Sequence, residues 1–196
     1  DIEGASFAAL INMLKTIDGD YRLRFMTNHP KDLTEEVVKA VAENPHCCHQ
    51  IHLPVQAGSN RVLKLMNRHY DRKRYMEIVN YAKEKIPNLS LTSDIIVGFP
   101  GETYEDFQQT LSLIKEVEYT SLFTFIFSPR VGTPAAKMDD PIPYEEKSKW
   151  FSELLKVQEE IAAKRCESMV SKTYRVLVES AKPNGELTSR TEENII

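Results

Sequence analysis

The run Leu89–Tyr104, LSLTSDIIVGFPGETY, changes from a strand pattern to a turn and then to a helix start. Ser93–Val97 is rich in β-branched and apolar residues, which is typical of a strand buried on both faces of a parallel sheet. The Gly98–Gly101 turn ends it, and Thr103 with Asp106 predicts a capping box at the next helix. Parallel α/β proteins build their sites at such strand ends, although the same joint can simply connect strand to helix.

Strand patterns alternate with helical apolar stripes on both sides of this run. The predicted strands are Tyr21–Met26, Gln50–Val55, Ser93–Val97 and Ser121–Phe127, and the predicted helices fill the intervals and the stretch from Pro143 to about Met169. We expect Ser121–Phe127 to be another strand of the buried type. Strands that alternate with helices form right-handed crossovers and a parallel sheet. The sequence therefore predicts an α/β fold that closes into a barrel or a partial barrel.

The pattern changes near Lys172. Tyr174–Glu179 (YRVLVE) predicts a strand, Lys182–Gly185 predicts a turn, and Leu187–Arg190 predicts the start of a second strand. We therefore divide the chain into a piece of a barrel at residues 1–170 and the truncated start of an all-β module at residues 171–196. We also expect the chain to be part of a longer protein, because it begins with Asp and ends without a closing element.

The composition is that of an ordinary globular protein: 196 residues, of which 41% are hydrophobic and 28% charged. No apolar run approaches the roughly 18 residues of a membrane span, and no signal peptide is present, so we expect no membrane association and a cytoplasmic location. The net charge of -4 argues against a chain coated in basic patches, but it leaves room for a local cluster that binds RNA. Three cysteines, two of them adjacent, provide no disulfide framework.

Polar residues follow each predicted strand. They are Thr27, Asn28 and His29, then Gln56 and Ser59, then Glu102 and Thr103, and finally Ser128 and Arg130. Four strands that deliver polar side chains to one rim form the arrangement of barrel enzymes. For Ser59 and Thr103, capping of the following helix is the larger part of the expected role.

A group of histidines and cysteines between His46 and His52 has ligand types that zinc accepts, but its spacing is wrong for a zinc site. Cys47 and Cys48 are adjacent, and no second pair of ligands follows. Buried cysteine commonly acts as a small apolar residue. We therefore predict no metal ligand here.

Three long motifs resemble one family in their order and spacing. They are HLPVQAGSNRVLKLMNRHY (His52–Tyr70), SDIIVGFPGET (Ser93–Thr103) and SPRVGTPAAKM (Ser128–Met138), and they resemble the radical S-adenosylmethionine methylthiotransferases. RFMTNHP (Arg24–Pro30) is similar to the preceding strand end of that family. The LPVQ, MNR and FTFIFSPR runs are more similar to the MiaB-type branch, which acts on transfer RNA, than to the branch that acts on a ribosomal protein.

The resemblance implies an incomplete (β/α) radical SAM barrel with parallel strands, followed by the start of a β-barrel TRAM domain. It implies S-adenosyl-L-methionine and 4Fe-4S clusters as cofactors. It also implies a reaction that adds a methylthio group to a modified adenosine beside the anticodon, so the implied partners are transfer RNA and S-adenosylmethionine.

The resemblance further implies six cofactor-binding residues: Gln56, Ser59, Ile96, Gly98, Ser128 and Arg130. Gln56 and Ser59 match positions that would face the ribose and the methionine part of the cofactor. Ile96 and Gly98 match a strand whose backbone would approach the adenine, since glycine leaves room for a ligand. At the last strand end, Arg130 matches a position suited to a carboxylate or an RNA phosphate, and a structural ion pair is an equally good interpretation.

The family's radical cluster needs a CxxxCxxC loop, and the spacing of Cys47, Cys48 and Cys166 does not provide one. We therefore expect the cluster ligands to lie outside this chain, with no catalytic or metal residue inside it and no activity on its own. An open barrel would leave a strand edge unpaired, which predicts self-association.

Three alternatives stay open at this point. The first is an RNA-binding fragment without catalysis, which would use a basic group formed by Arg61, Lys64, Arg68, Arg72, Lys73 and Arg74. The second is a methylthiotransferase that acts on another adenosine modification or on a ribosomal protein. The third is an unrelated, cluster-free barrel enzyme that binds a small carboxylate through Arg130.

Overall fold

The structure is a computed structural model that describes residues 6–196. Its helices are α1 (Phe7–Leu14), α2 (Glu35–Glu43), α3 (Asn60–Leu65), α4 (Arg72–Lys85), α5 (Tyr104–Val117) and α6 (Tyr144–Met169), with a short 3-10 helix at Pro134–Lys137. Its strands are β1 (Gln50–His52), β2 (Ser90–Val97), β3 (Ser121–Ile126), β4 (Leu177–Ala181) and β5 (Leu187–Arg190).

A parallel sheet in the order β1-β2-β3 forms the centre of the molecule. Helices α3 and α4 connect β1 to β2, and α5 connects β2 to β3. An isolated bridge between Gln56 and Ile95 continues the pairing of β1 with β2 beyond the end of β1. The carboxyl ends of the strands therefore meet at one edge of the sheet, as expected for a parallel α/β fold.

Side-chain caps begin most of the helices where the sequence predicts them. Ser59 caps α3, Asp71 caps α4, and Thr103 with Asp106 forms the predicted capping box of α5. Helix α5 then buries Phe107, Leu111, Ile114 and Val117 in the hydrophobic core. These caps orient the first turns of the helices toward the strand ends, so they also shape that edge of the sheet.

The predicted strand Tyr21–Met26 is wrong. Within it, only Leu23 forms a bridge, in which its N–H donates to the carbonyl of His46 at 2.7 Å and its carbonyl accepts from Cys48 N–H at 3.0 Å. The neighbouring segment around His46 is a turn rather than a strand, so no ladder can extend from this single pair.

The prediction that Ser121–Phe127 is a buried strand is also wrong. Phe123 and Phe125 are 56% and 54% exposed. Leu122, which lies on the opposite face of the strand, packs against the core. Strand β3 lies at the edge of the sheet and contacts helix α6, whereas Phe123 and Phe125 line cavities instead of packing into the core. Strands β1 and β3 lie at the two edges of this sheet, and self-association through an unpaired edge stays a prediction.

Helix α6 and a C-terminal hairpin complete the described chain. Trp150 of α6 stacks on Phe107 with a centroid separation of 5.5 Å, and Leu154 is fully buried, as the apolar stripe predicts. Strands β4 and β5 pair in an antiparallel hairpin. Strand β5 matches the predicted Leu187–Arg190, whereas β4 begins three residues later and ends two residues later than the predicted Tyr174–Glu179. The boundary near residue 170 and a TRAM domain stay predictions. Among the described residues, no helix combines the length and apolar character needed to cross a membrane.

Candidate cofactor-binding site

A cavity of about 540 Å³ lies at the carboxyl edge of the sheet. Four of the six residues that the resemblance implies line it: Gln56, Ile96, Ser128 and Arg130. Phe99, Phe125 and Phe127 supply an apolar wall, and Phe99 and Phe127 pack edge to face at 5.1 Å between ring centroids. A largely apolar cavity with a few convergent polar groups is the usual form of a small-molecule site.

Gln56 occupies a strained position in the floor of this cavity. Its φ of 73° lies in the left-handed region, which is uncommon for a residue other than glycine. Two backbone hydrogen bonds of 2.9 Å hold it there: its N–H donates to the carbonyl of Asp94, and its carbonyl accepts from Ile96 N–H. Strain that neighbouring contacts maintain is common at binding sites, so Gln56 fits the role that the resemblance gives it.

Ser59 does not line the cavity, and its hydroxyl is committed elsewhere. The residue is 1% exposed, and its Oγ donates to Asp106 Oδ1 at 2.6 Å while capping α3. The serine therefore joins the start of α3 to the start of α5. A contact between Ser59 and a cofactor stays a prediction.

Gly98 also lies outside the lining residues. A Cβ atom at Gly98 would be 2.6 Å from Cγ and Cδ of Lys147, and its φ is +73°. The space that the missing side chain leaves is thus occupied by a lysine stem from α6. The motif predicts that this glycine leaves room for a ligand, whereas in the structure it makes room for Lys147. A backbone contact to adenine stays a prediction.

Two polar residues of the cavity, Arg68 and Asp94, are not among the six cofactor-binding candidates, and the sequence analysis names Arg68 only in the basic group of the RNA-binding alternative. The Nε of Arg68 is buried and has no hydrogen-bond partner among the described residues. Asp94 is a carboxylate inside the apolar strand β2, and its Oδ1 lies 3.3 Å from Nε2 of His52. The charge of Asp94 within the run SDIIVGF was a signal that could have identified it.

The cavity therefore contains two guanidinium groups and one carboxylate. In the described part of the chain, no carboxylate lies within ion-pair distance of Arg68 or Arg130, although most other arginines are paired. A guanidinium group that a protein leaves unpaired in a cavity is suited to a carboxylate or phosphate of a ligand.

Two buried carboxyl groups organise the turn behind the cavity. Glu102 accepts hydrogen bonds from Gly98 N–H at 2.6 Å and Phe99 N–H at 3.1 Å. These bonds act to lower the pKa of Glu102, but burial has the larger effect and raises that pKa to about 7. Burial also acts to raise the pKa of Asp106, but hydrogen bonds from Arg61, Ser59 and Thr103 outweigh it and lower that pKa to about 2. Asp106 is thus ionised at neutral pH.

The raised pKa of Glu102 should make the stability of the fold depend on pH. A carboxyl group whose pKa rises from 4.5 to about 7 on folding contributes its full stability below about pH 4.5 and loses it as the pH rises through 7. We expect the free energy of unfolding from urea titrations to fall by about 2–3 kcal/mol over this window. In Glu102→Gln, which keeps the size and an acceptor oxygen, this component should vanish, and an unchanged pH dependence in that variant would contradict the assignment.

The cysteines do not fit an iron-sulfur cluster. Burial, followed by the neighbouring Cys48, raises the pKa of the Cys47 thiol to about 11, which disfavours the thiolate that a metal needs. Cys166 lies far along the chain on the exposed part of α6. Within the described residues, no group of three or more potential ligands comes together.

Comparison with known proteins defines the class. The family described as the Radical SAM superfamily matches residues 4–114, which is more than half of the chain. The chain therefore belongs to the radical S-adenosylmethionine superfamily.

The more specific comparisons agree with the motifs. The chain is 54% identical over 181 residues to the tRNA-2-methylthio-N(6)-dimethylallyladenosine synthase of Clostridium botulinum (strain Okra / Type B1), an alignment that covers 92% of this chain and 40% of that protein. It is 49% identical over 189 residues to the synthase of the same name from Clostridium tetani (strain Massachusetts / E88), covering 95% of this chain and 42% of that protein. These relatives confirm the resemblance, and the chain spans about two fifths of their length.

A solved structure supports the fold. The coproporphyrinogen III oxidase HemN from Escherichia coli, described as a radical SAM enzyme, superposes with a TM-score of 0.57 at 22% identity. The match covers 68% of this chain and 31% of HemN. At this identity the likeness concerns the fold alone, and it agrees with an α/β radical SAM architecture.

Proposed function

We propose that the chain is a central and C-terminal part of a transfer RNA methylthiotransferase, and that the cavity at the strand ends binds S-adenosyl-L-methionine. The observation that carries this proposal is the convergence of Gln56, Arg68, Asp94 and Arg130 in one cavity of a radical SAM chain. The substrate, a modified adenosine beside the anticodon, is inferred from the names of the relatives. Those names favour catalysis by the parent over the alternative of an RNA-binding protein without activity.

The cavity offers a complementary partner for each part of the cofactor. The guanidinium groups of Arg68 and Arg130 suit the methionine carboxylate, and the Asp94 carboxylate can accept from the amino group or the ribose hydroxyls. Ile96 and the phenylalanine wall suit the adenine ring, which gains by burial of apolar surface. When bound, S-adenosylmethionine supplies both the methyl group and the radical that the chemistry of this family uses.

The catalytic cluster must come from elsewhere in a longer parent protein, because the three cysteines of this chain do not fit it. What this chain contributes is binding and orientation: the strand ends place cationic, anionic and apolar groups around one volume. We therefore propose that the chain alone is inactive. The TRAM domain and its contact with RNA belong to the same proposal.

Arg68 provides the test of the cofactor assignment. Isothermal titration of S-adenosylmethionine into the full-length parent, reconstituted with iron and sulfide, should show binding that Arg68→Gln weakens about 10–100-fold. A charge-assisted hydrogen bond contributes about 1.5–3 kcal/mol, and each 1.4 kcal/mol changes the affinity tenfold, so an effect of this order is expected.

Arg74→Gln is the matched control, because Arg74 lies on the exposed side of α4 outside the cavity. It removes the same charge and should leave the affinity unchanged. Equal affinities of the two variants, or a cluster-loaded parent that does not bind the cofactor, would overturn the assignment.

A further inference from the structure

A second cavity, of about 640 Å³, lies at the opposite end of the sheet from the cofactor cavity. Asn88 and Leu89, just before the first residue of β2, form one wall. The end of α6 and the segment that leads to the C-terminal hairpin form the others. We call this cavity the basal cleft, and its position at the junction of the barrel with the C-terminal segment distinguishes it from the site described above.

The basal cleft is cationic in a chain whose net charge is -4. Lys83, Arg165 and Lys172 line it with a single carboxylate, that of Glu193. The Lys83 ammonium donates to the last carbonyl of α5, Val117 O, at 2.7 Å. Among the described residues, neither Arg165 nor Lys172 has an ion pair or a side-chain hydrogen bond.

Arg165 is one of the few arginines whose guanidinium group has no partner among the described residues. Of the ten arginines in the sequence, seven donate a side-chain hydrogen bond within the described structure. The remaining three are Arg68 and Arg130, which line the cofactor cavity, and Arg165. Unpaired guanidinium groups thus occur in cavities that have room for an anion.

The positive charges of Lys83 and Arg165 in the cleft repel each other. Burial lowers the pKa of the Lys83 ammonium, Glu118 opposes that shift, and Arg165 adds to it. A bound anion would relieve both the burial cost and the repulsion between Lys83 and Arg165. Tyr174 adds an aromatic surface to the same lining, and Asn88 adds an amide. A positive groove with an aromatic side chain is the usual form of a site for single-stranded nucleic acid.

We propose that the basal cleft binds the phosphate backbone of RNA through Arg165, Lys172 and Lys83. This inference rests on the proposed function, because it assigns a second contact to the same RNA substrate. Strand β2 has eight residues and so separates the two cavities by roughly 25 Å. The cleft therefore holds a phosphate several nucleotides away from the reacting adenosine, and it contributes affinity and orientation rather than chemistry.

The test measures binding of an anticodon stem-loop RNA to this chain by fluorescence anisotropy over a series of salt concentrations. The variant Arg165→Gln/Lys172→Gln removes two charges from the cleft. We expect it to weaken binding about tenfold or more at low salt and to reduce the slope of log K against log salt by about 1.5. The pair Lys156→Gln/Lys164→Gln removes the same charge from exposed positions of α6 outside the cleft, and its slope should change by less than half as much.

Equal effects of the two variant pairs, or no measurable RNA binding by the chain, would overturn the proposal. Inorganic pyrophosphate at constant ionic strength serves as a second probe, and cleft-dependent binding of pyrophosphate without RNA binding would overturn the RNA assignment. Cleft-dependent RNA binding in a parent that fails to bind S-adenosylmethionine would contradict the proposed function and leave the basal cleft supported.

Discussion

Replacing Gly58 with alanine is expected to lower the free energy of unfolding by about 3 kcal/mol, the upper end of the usual cost of overpacking a core. A Cβ atom at this position would lie 2.5 Å from Thr110 Cα and 2.6 Å from Gln109 O. Both atoms belong to the backbone of α5, so no side chain can move aside to accommodate the methyl group. The Gly58 N–H also donates to Thr110 Oγ1 at 2.9 Å, and this bond is lost if α5 shifts.

The measurement is a urea unfolding curve for Gly58→Ala beside one for Gly132→Ala. Gly132 has a φ of +87° and open space around its missing side chain, so its substitution should cost only about 1 kcal/mol of backbone strain. A smaller loss at Gly58 than at Gly132 would show that α5 can move away from the loop after β1. In that case Gln56 would move with the loop, and the binding of S-adenosylmethionine that we propose for this cavity should weaken although the stability changes little.

Gly98→Ala is the second substitution for which we expect a large effect, a loss of about 2–4 kcal/mol. About 1 kcal/mol comes from the φ of +73°, and the rest comes from the clash with Lys147 at 2.6 Å. Lys147 cannot withdraw easily, because it is 4% exposed and its Nζ lies 2.5 Å from Asp140 Oδ2. Its ammonium also lies 5.6 Å from the centroid of the Phe127 ring.

A double-mutant cycle separates the two causes. In a Lys147→Ala background the clash disappears, so the further cost of Gly98→Ala should fall to about 1 kcal/mol, similar to that of Gly132→Ala. A cost that stays the same in both backgrounds would mean that the backbone alone requires glycine at this position. The glycine would then be available for the ligand contact that the motif predicts.

The helices could be predicted from the sequence because their signals are local. The serine at position 59, the aspartate at 71 and the threonine at 103 each cap a helix with backbone groups three residues away. The motifs also identified four residues that share one cavity, since parallel strands bring their carboxyl ends to the same edge. The prediction of a strand at Tyr21–Met26 was wrong, because the alternation of polar and apolar side chains does not reveal whether a partner strand lies beside the segment.

The sequence by itself determined the α/β class, the helices and their caps, and the superfamily, because these depend on spacing within short segments. Only the tertiary structure decided that Arg68 and Asp94 join the cavity at the strand ends and that Ser59 binds Asp106. It likewise decided that the space beside Gly98 is filled by the side chain of Lys147 and is not open to a ligand. Each of these outcomes requires side chains from distant parts of the chain to meet, and that meeting depends on how the helices pack on the sheet rather than on any local pattern.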